Sequence, residues 1–242
     1  PIKQTLGAYT AAEQTALFFK NIVNENTTSS RQLIIHEVMG RNCGWLTAYS
    51  SYLYRKNLKD MKFIPELLLN KSKWDIHAIY IPENNFSLDS EVKRLNNIMD
   101  KHDCVNIFLS EGAGINNIVQ EMKNNNEEIK YDAFGHVRLD EINPGQWYAK
   151  FFKNKLNCHK VLVQKSGYFS RSANPNREDL ELIYKCSIKA VESALNGINC
   201  VVGHSSKTDN IESIDFSDIK GGKKFDISQE WFVKLLKEIN QN

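Results

Sequence analysis

No apolar run in these 242 residues approaches the roughly 18 positions needed to cross a bilayer. The five cysteines, Cys43, Cys104, Cys158, Cys186 and Cys200, are scattered, odd in number and form no C-x-x-C pair. That spacing argues against a disulfide framework and against a zinc site, and reads as buried or incidental thiols. An excess of one charge sign is missing too: 31 Lys+Arg against 29 Asp+Glu leave +2, too little for a broad basic surface, so no nucleic acid and no membrane partner is expected. The six histidines show no H-x-x-x-H spacing, and neither G-x-x-x-x-G-K-[ST] nor G-x-S-x-G occurs. A P-loop and a serine-hydrolase elbow are therefore unsupported. The opening Pro1-Ile-Lys-Gln-Thr5 lacks the basic-then-apolar order of a signal peptide. It also begins with proline instead of methionine, which suggests a fragment or a processed product. A soluble, cytoplasmic protein is the working expectation.

What is present is ordinary globular material: 41% hydrophobic and 25% charged residues, enough for a substantial core. Helical spacing over Ala8 to Val23 (Ala11, Ala12, Leu17, Phe18, Ile22) gives way to a strand at Leu33 to Val38. Gly44 to Tyr54 reads as helix, His77 to Ile81 as strand, and Ser87 to Met99 as an amphipathic helix. A strand at Cys104 to Leu109, a helix from Ile115 to Met122 and a strand at Val161 to Val163 follow. Glu178 to Leu195 reads as a long helix, Asn199 to Val202 as a fifth strand, and Ser228 to Ile239 as a last helix. Alternating strands and helices predict βαβ units and a mostly parallel sheet with helices on both faces.

In such a sheet, ligands gather where strands end and helices begin. Three segments sit there. Met39-Gly-Arg-Asn-Cys-Gly44 combines two glycines, a helix N-terminus and the Arg41 guanidinium, an anion cradle by chemistry or simply a tight turn with an exposed arginine. Ser110-Glu-Gly-Ala-Gly114 places the Glu111 carboxylate in a thin loop, to accept bonds from sugar hydroxyls or to cap the next helix. Ser166-Gly-Tyr-Phe-Ser-Arg171 spaces a phenol and a guanidinium three residues apart, a grip for a phosphate ester or two core aromatics beside a solvated arginine.

Together the three segments resemble the 6-phosphofructokinase family. Val38-Met-Gly-Arg-Asn-Cys-Gly-Trp-Leu-Thr-Ala48 is similar to its sugar-phosphate loop, with the Met-Gly-Arg signature, and Ser110 to Gly114 to its second substrate loop. Lys165-Ser-Gly-Tyr-Phe-Ser-Arg171 is similar to the stretch whose Tyr-x-x-Arg holds the sugar phosphate. Asp132-Ala-Phe-Gly-His-Val-Arg-Leu-Asp140, Asn143-Pro-Gly145 and Ile219-Lys-Gly-Gly-Lys-Lys-Phe-Asp-Ile227 look most like the pyrophosphate-dependent branch, the diphosphate–fructose-6-phosphate 1-phosphotransferases. The resemblance covers nearly the whole chain. It implies an α/β, phosphofructokinase-like fold of two related parallel-sheet, three-layer domains, the first incomplete. Residues 1–170 with a C-terminal helix at 225–242 would form the fructose-6-phosphate domain, and 171–224 the remaining part of the phosphoryl-donor domain.

Carried over by position, the resemblance implies that Met39, Gly40 and Arg41 touch substrate. Arg41 would also stabilise charge on the transferring phosphoryl group, Glu111 would hold sugar hydroxyls, and Tyr168 and Arg171 would bind the 6-phosphate. The implied activity is phosphoryl transfer from pyrophosphate, with Mg²⁺, to fructose 6-phosphate in glycolysis, by a homo-oligomer. An ATP-dependent enzyme and a non-catalytic sugar-phosphate-binding subunit or remnant are the alternatives. The family's Gly-Gly-Asp segment, which binds donor and metal, and its Asp-Asn-Asp segment, which carries the general base, do not occur in these residues. By the family's order they belong before Pro1, so the metal ligands and the base are expected there and the chain alone is expected to be inactive. Asp132 and Asp140 are the nearest substitutes for the base and stand in another motif.

Overall fold

The computed structural model describes residues 2–67, 69–131, 138 and 142–241. Asp132, His136, Asp140 and most of the motif around them lie outside the described residues. Four parallel strands form the main sheet: β2 (Gln32–Val38), β3 (Ala78–Tyr80), β4 (Cys104–Ser110) and β5 (Lys160–Lys165), in the order β3-β4-β2-β5. Both central strands, β2 and β4, are buried along their whole length, as expected of a parallel sheet covered on both faces.

Alternation along β2 divides the core. Ile34 and Val38 point into one apolar cluster, with residues of α1 (Ala8–Ile22), α2 (Trp45–Lys59) and the last helix, here called α8 (Glu230–Glu238). Leu33 and Ile35 point into the other, with residues of α3 (Leu88–His102), α4 (Ile115–Asn124) and α5 (Pro144–Lys155). Helix, sheet and helix make three layers. The α1 face differs from its expected one: Leu17 is exposed, whereas Thr15, Ala16 and Phe19 are buried. Helix α2 runs beyond Tyr54 because Leu58 is buried and Arg55 makes a two-pronged bond to Asp75, at 2.7 and 2.9 Å, and another to Glu238 at 2.7 Å. The outer edge of β3 is closed by a side chain. Gln241 Oε1 accepts from the Ile79 N–H at 2.8 Å, and its Nε2 donates to the Ile79 carbonyl at 3.0 Å.

The strand expected at Asn199 to Val202 exists, but it does not extend the parallel sheet. It is β6 (Val201–Ser205), paired antiparallel with β1 (Ile2–Gln4) and with β7 (Ile211–Ile214) in a separate three-stranded sheet. The β6-to-β7 link, 206–210, is a short reversal, which imposes antiparallel pairing. Residues 2–4 thus sit with 201–214 and not with the main sheet. The long helix α7 (Arg177–Leu195) packs on β6 and β7. Its Asp179, fully buried, ties the two sheets' helices together by accepting from the N–H groups of Gly7 (3.1 Å) and Thr10 (2.7 Å) and from the Thr10 hydroxyl. A carboxylate from one helix thereby caps the N-terminus of another.

Candidate functional site

Parallel, in-register pairing sets the carboxyl ends of the strands side by side. Val38 lies opposite Ser110 on β4, and Glu37 opposite Lys165 on β5. The three candidate segments therefore leave the sheet at one edge, and contacts between them are close. Gly40 has φ +141, and a Cβ there would stand 2.5 Å from the Cys43 carbonyl oxygen, so only glycine fits. The Ser110 hydroxyl donates to the Gly40 carbonyl, the Glu111 N–H to the Val38 carbonyl at 3.0 Å, and the Gly40 N–H to Glu111 Oε1 at 3.3 Å. A Cβ on Gly112 would lie 1.8 Å from the Arg41 carbonyl oxygen, so the first two turns touch backbone to backbone. Met39 rests on the third: its Cγ is 3.8 Å from where a Gly167 Cβ would be.

Glu111 does not cap the following helix. The N-cap of α4 is Gly114, without a side-chain bond, and the carboxylate turns to the Gly40 turn instead. Tyr168 is not a core aromatic either. It is 84% exposed on the short helix α6 (Gly167–Arg171), and the Arg171 guanidinium lies 5.1 Å from its ring centroid, a cation–π pair that holds both groups together. Behind them, Ser170 bonds Thr15 of α1 at 2.8 Å and Phe169 packs on Phe18.

One expectation needs correction. The α2 N-terminus is not a free anion cradle, because Glu83 occupies it: its oxygens accept the Gly44 N–H at 3.0 and 3.1 Å and the Phe225 N–H at 2.8 Å. A carboxylate already satisfies the positive end of that helix. Exposed Arg41 lines a cleft of about 760 Å³ with Glu83, Asn84, Phe86, Gly112, Asn117 and Lys224. So Met39, Gly40, Arg41 and Glu111 form one tight group. Tyr168 and Arg171 join it through Met39 and Gly167, yet neither lines the cleft that Arg41 lines.

Two residues at this edge escaped the sequence reading. Glu37, buried on β2, accepts from the Gly145 N–H at 2.9 Å and from Lys165 Nζ at 2.8 Å, and Lys165 also donates to Asn143 Oδ1 at 3.0 Å. One buried carboxylate thus fixes the start of α5 and the end of β5, beside Met39. A signal was present: a lone acid in the apolar run Leu33 to Val38 needs a partner. Among the described residues no group of three or more His, Cys, Asp or Glu side chains could hold a metal ion.

The family model described as phosphofructokinase matches residues 2–194. The chain belongs to the phosphofructokinase family. Relatives agree across all 242 residues: the pyrophosphate–fructose 6-phosphate 1-phosphotransferases of Methylomonas methanica and of Mastigamoeba balamuthi are each 50% identical to it. The chain covers 59% of the length of each. Among solved structures, a pyrophosphate-dependent phosphofructokinase of Marinobacter aquaeolei matches with a TM-score of 0.56 at 21% identity, over 98% of this chain and 55% of that one. Phosphofructokinase of Saccharomyces cerevisiae matches with a TM-score of 0.55 at 17% identity, over 99% of this chain and 25% of that one. At those identities the solved structures show the fold, a mixed α/β architecture around a parallel sheet.

Proposed function

We propose that the chain carries the sugar-phosphate-binding side of an enzyme that transfers a phosphoryl group from pyrophosphate to the 1-hydroxyl of fructose 6-phosphate, yielding fructose 1,6-bisphosphate. The observation that carries this reading is the clamp of the Met39-Gly40-Arg41 turn on the Glu111-Gly112 turn in a member of this family. Glu111, already aligned by the Gly40 N–H, presents its second oxygen to sugar hydroxyls. Tyr168 and Arg171 take the 6-phosphate, a phenol and a fork of N–H donors suited to that oxyanion. Arg41, exposed and without an ion pair among the described residues, neutralises charge on the phosphoryl group in transit. The positions of Met39 and Gly40 are fixed by Gly167 and Ser110, so binding needs little rearrangement there.

Pyrophosphate as donor rests on the names of the relatives at about half identity. Among the described residues no group of three or more His, Cys, Asp or Glu gathers for a metal; Mg²⁺ ligands are assigned to the family segment that this chain does not carry, and no step is assigned to a metal. Residues 1–170 and 225–242 are proposed as the fructose-6-phosphate domain and 171–224 as part of the donor domain, which takes β1 as a strand. A cytoplasmic homo-oligomer completes the proposal, and no helix among the described residues is long and apolar enough to cross a membrane. The test is a chimera joining this chain to the part of the Methylomonas methanica relative that it does not span. Formation of fructose 1,6-bisphosphate from fructose 6-phosphate and pyrophosphate is expected, with a large loss on Arg171→Ala in this chain's part. A folded chimera that turns over equally well with Arg171→Ala would overturn the assignment of this chain to the sugar-phosphate side.

A further inference from the structure

The segment Ile219-Lys-Gly-Gly-Lys-Lys-Phe-Asp-Ile227 has no role in the site as described so far. It forms neither helix nor strand, yet it is fastened at several points. The Phe225 N–H donates to Glu83 at 2.8 Å. The Phe225 ring is buried against Trp231 and Phe232 of α8, at centroid distances of 5.6 and 5.2 Å. Lys223 Nζ donates to the Lys3 carbonyl of β1 at 3.1 Å. Gly222 runs past the Met39-Gly40-Arg41 turn: a Cβ on it would lie 4.0 Å from the Asn42 Cβ. Lys224 stands between the bonded Lys223 and the buried Phe225, and it lines the same cleft as Arg41. An ammonium on an otherwise extended, solvated strap is thereby kept beside that arginine.

We propose that Lys224 is a further binding residue of this site, holding a phosphoryl oxyanion in the cleft together with Arg41. Both cations are exposed, and among the described residues neither side chain has an ion pair or a hydrogen bond. Two like charges on one cleft repel each other, and an anion with charge on several oxygens relieves that repulsion while accepting from both. Among the described residues the one acid lining the cleft is Glu83. Its oxygens are already engaged by the Gly44 and Phe225 N–H groups, and the positive end of α2 offsets its charge. Five asparagines, Asn42, Asn84 and Asn117 among them, supply neutral amide donors to the wall. The cleft, at about 760 Å³, has room for inorganic pyrophosphate or for a sugar phosphate. Tyr168 and Arg171 do not line it, so this is not the 6-phosphate grip, and pyrophosphate is the source that the arrangement favours. The proposal deepens the phosphoryl-transfer reading and rests on Arg41 serving the group in transit.

The test is isothermal titration of the 242-residue chain with pyrophosphate and, separately, with fructose 6-phosphate, at one fixed ionic strength because exposed charges are screened by salt. Pyrophosphate should bind the unaltered chain. Lys224→Met should weaken that binding by at least about fivefold, as for one charge-assisted bond in a partly solvated place, with an unchanged circular dichroism spectrum. Lys224→Arg, which keeps the charge, should restore it. Lys223→Met, next in sequence but turned to the Lys3 carbonyl, should leave it as it was. Fructose 6-phosphate affinity should be indifferent to Lys224→Met and should fall on Arg171→Ala. If Arg171→Ala has no effect while Lys224→Met still weakens pyrophosphate, the 6-phosphate assignment fails and the Lys224 assignment stands. No pyrophosphate binding, or binding equal in the unaltered chain and Lys224→Met, would overturn the proposal. So would a Lys224→Met loss confined to fructose 6-phosphate, which would give the cleft to the sugar ester.

Discussion

His36 offers a perturbation whose size follows from the structure. It lies on the central strand β2, fully buried between Phe18, Phe19 and Phe108, with its ring stacked on Phe19 at 5.6 Å. Neither ring nitrogen has a hydrogen-bond partner among the described residues. Burial disfavours the charged imidazolium and lowers the pKa from 6.5 to about 3. As pH falls below about 6.5, the unfolded chain takes up a proton here that the folded chain refuses until about pH 3. The unfolded state then binds more protons, so this group's contribution is full above pH 6.5 and is lost progressively towards pH 3. At pH 4.5 the gap is about two pH units, or about 2.7 kcal/mol at 1.36 kcal/mol per unit. His77 acts with the same sign, its pKa lowered to about 4 mainly by burial, and it cancels when two proteins that both carry it are compared. The perturbation is His36→Leu, apolar and of similar volume. Urea unfolding followed by circular dichroism from pH 7.5 to 4.5 should show the variant gaining about 2–3 kcal/mol on the unaltered chain across that range. Parallel stability curves would refute the reasoning, because a buried neutral histidine must produce this divergence.

Asp179→Ala removes the acceptor of two backbone amides and a hydroxyl in a buried place. A loss of about 2–4 kcal/mol in chemical denaturation is expected, from unsatisfied donors plus a lost cap. Gly112→Ala forces a methyl to within 1.8 Å of the Arg41 carbonyl oxygen, so calorimetry should show fructose 6-phosphate binding abolished, with the far-ultraviolet spectrum retained. Glu111→Gln keeps the shape of the side chain and removes its charge, and should weaken the same binding by about 1.5–3 kcal/mol, the range for bonds to charged groups. The 242-residue chain alone should form no fructose 1,6-bisphosphate with pyrophosphate or ATP in a coupled assay, since it carries neither Gly-Gly-Asp nor Asp-Asn-Asp. Robust activity would point first to Asp132 and Asp140.

Elements with a strong local period were legible from the sequence. Helix α3 shows apolar positions at helical spacing, a Ser87 cap and a left-handed stop at Asp103, all written within seventeen residues. Strands β2 and β4 are short, largely apolar runs, Leu33-Ile-Ile35 and Ile107-Phe-Leu109 at their centres, that fit the middle of a parallel sheet. Strand β1 was invisible for the opposite reason: three residues, Ile2-Lys3-Gln4, become a strand only because β6 lies beside them, some two hundred positions away. The pairing direction of β6 depends equally on β7 and could not be read from Val201 and Val202. At the site, the glycines and Arg41 announced a turn of special shape. The occupant of the α2 N-terminus did not, because Glu83 reaches Gly44 from the end of another strand. The Glu37–Lys165 pair likewise joins residues 128 positions apart, and sequence spacing carries no record of such a contact.

The central claim is that this edge of the sheet recognises a phosphorylated sugar. It is tested most directly by isothermal titration of the purified chain with fructose 6-phosphate and, separately, with fructose. Tyr168 and Arg171 are assigned to the 6-phosphate, and charge-assisted bonds are each worth about 1.5–3 kcal/mol. The account therefore predicts at least about tenfold tighter binding of the phosphorylated sugar, at 1.4 kcal/mol per factor of ten. Equal affinity for the two sugars would contradict it.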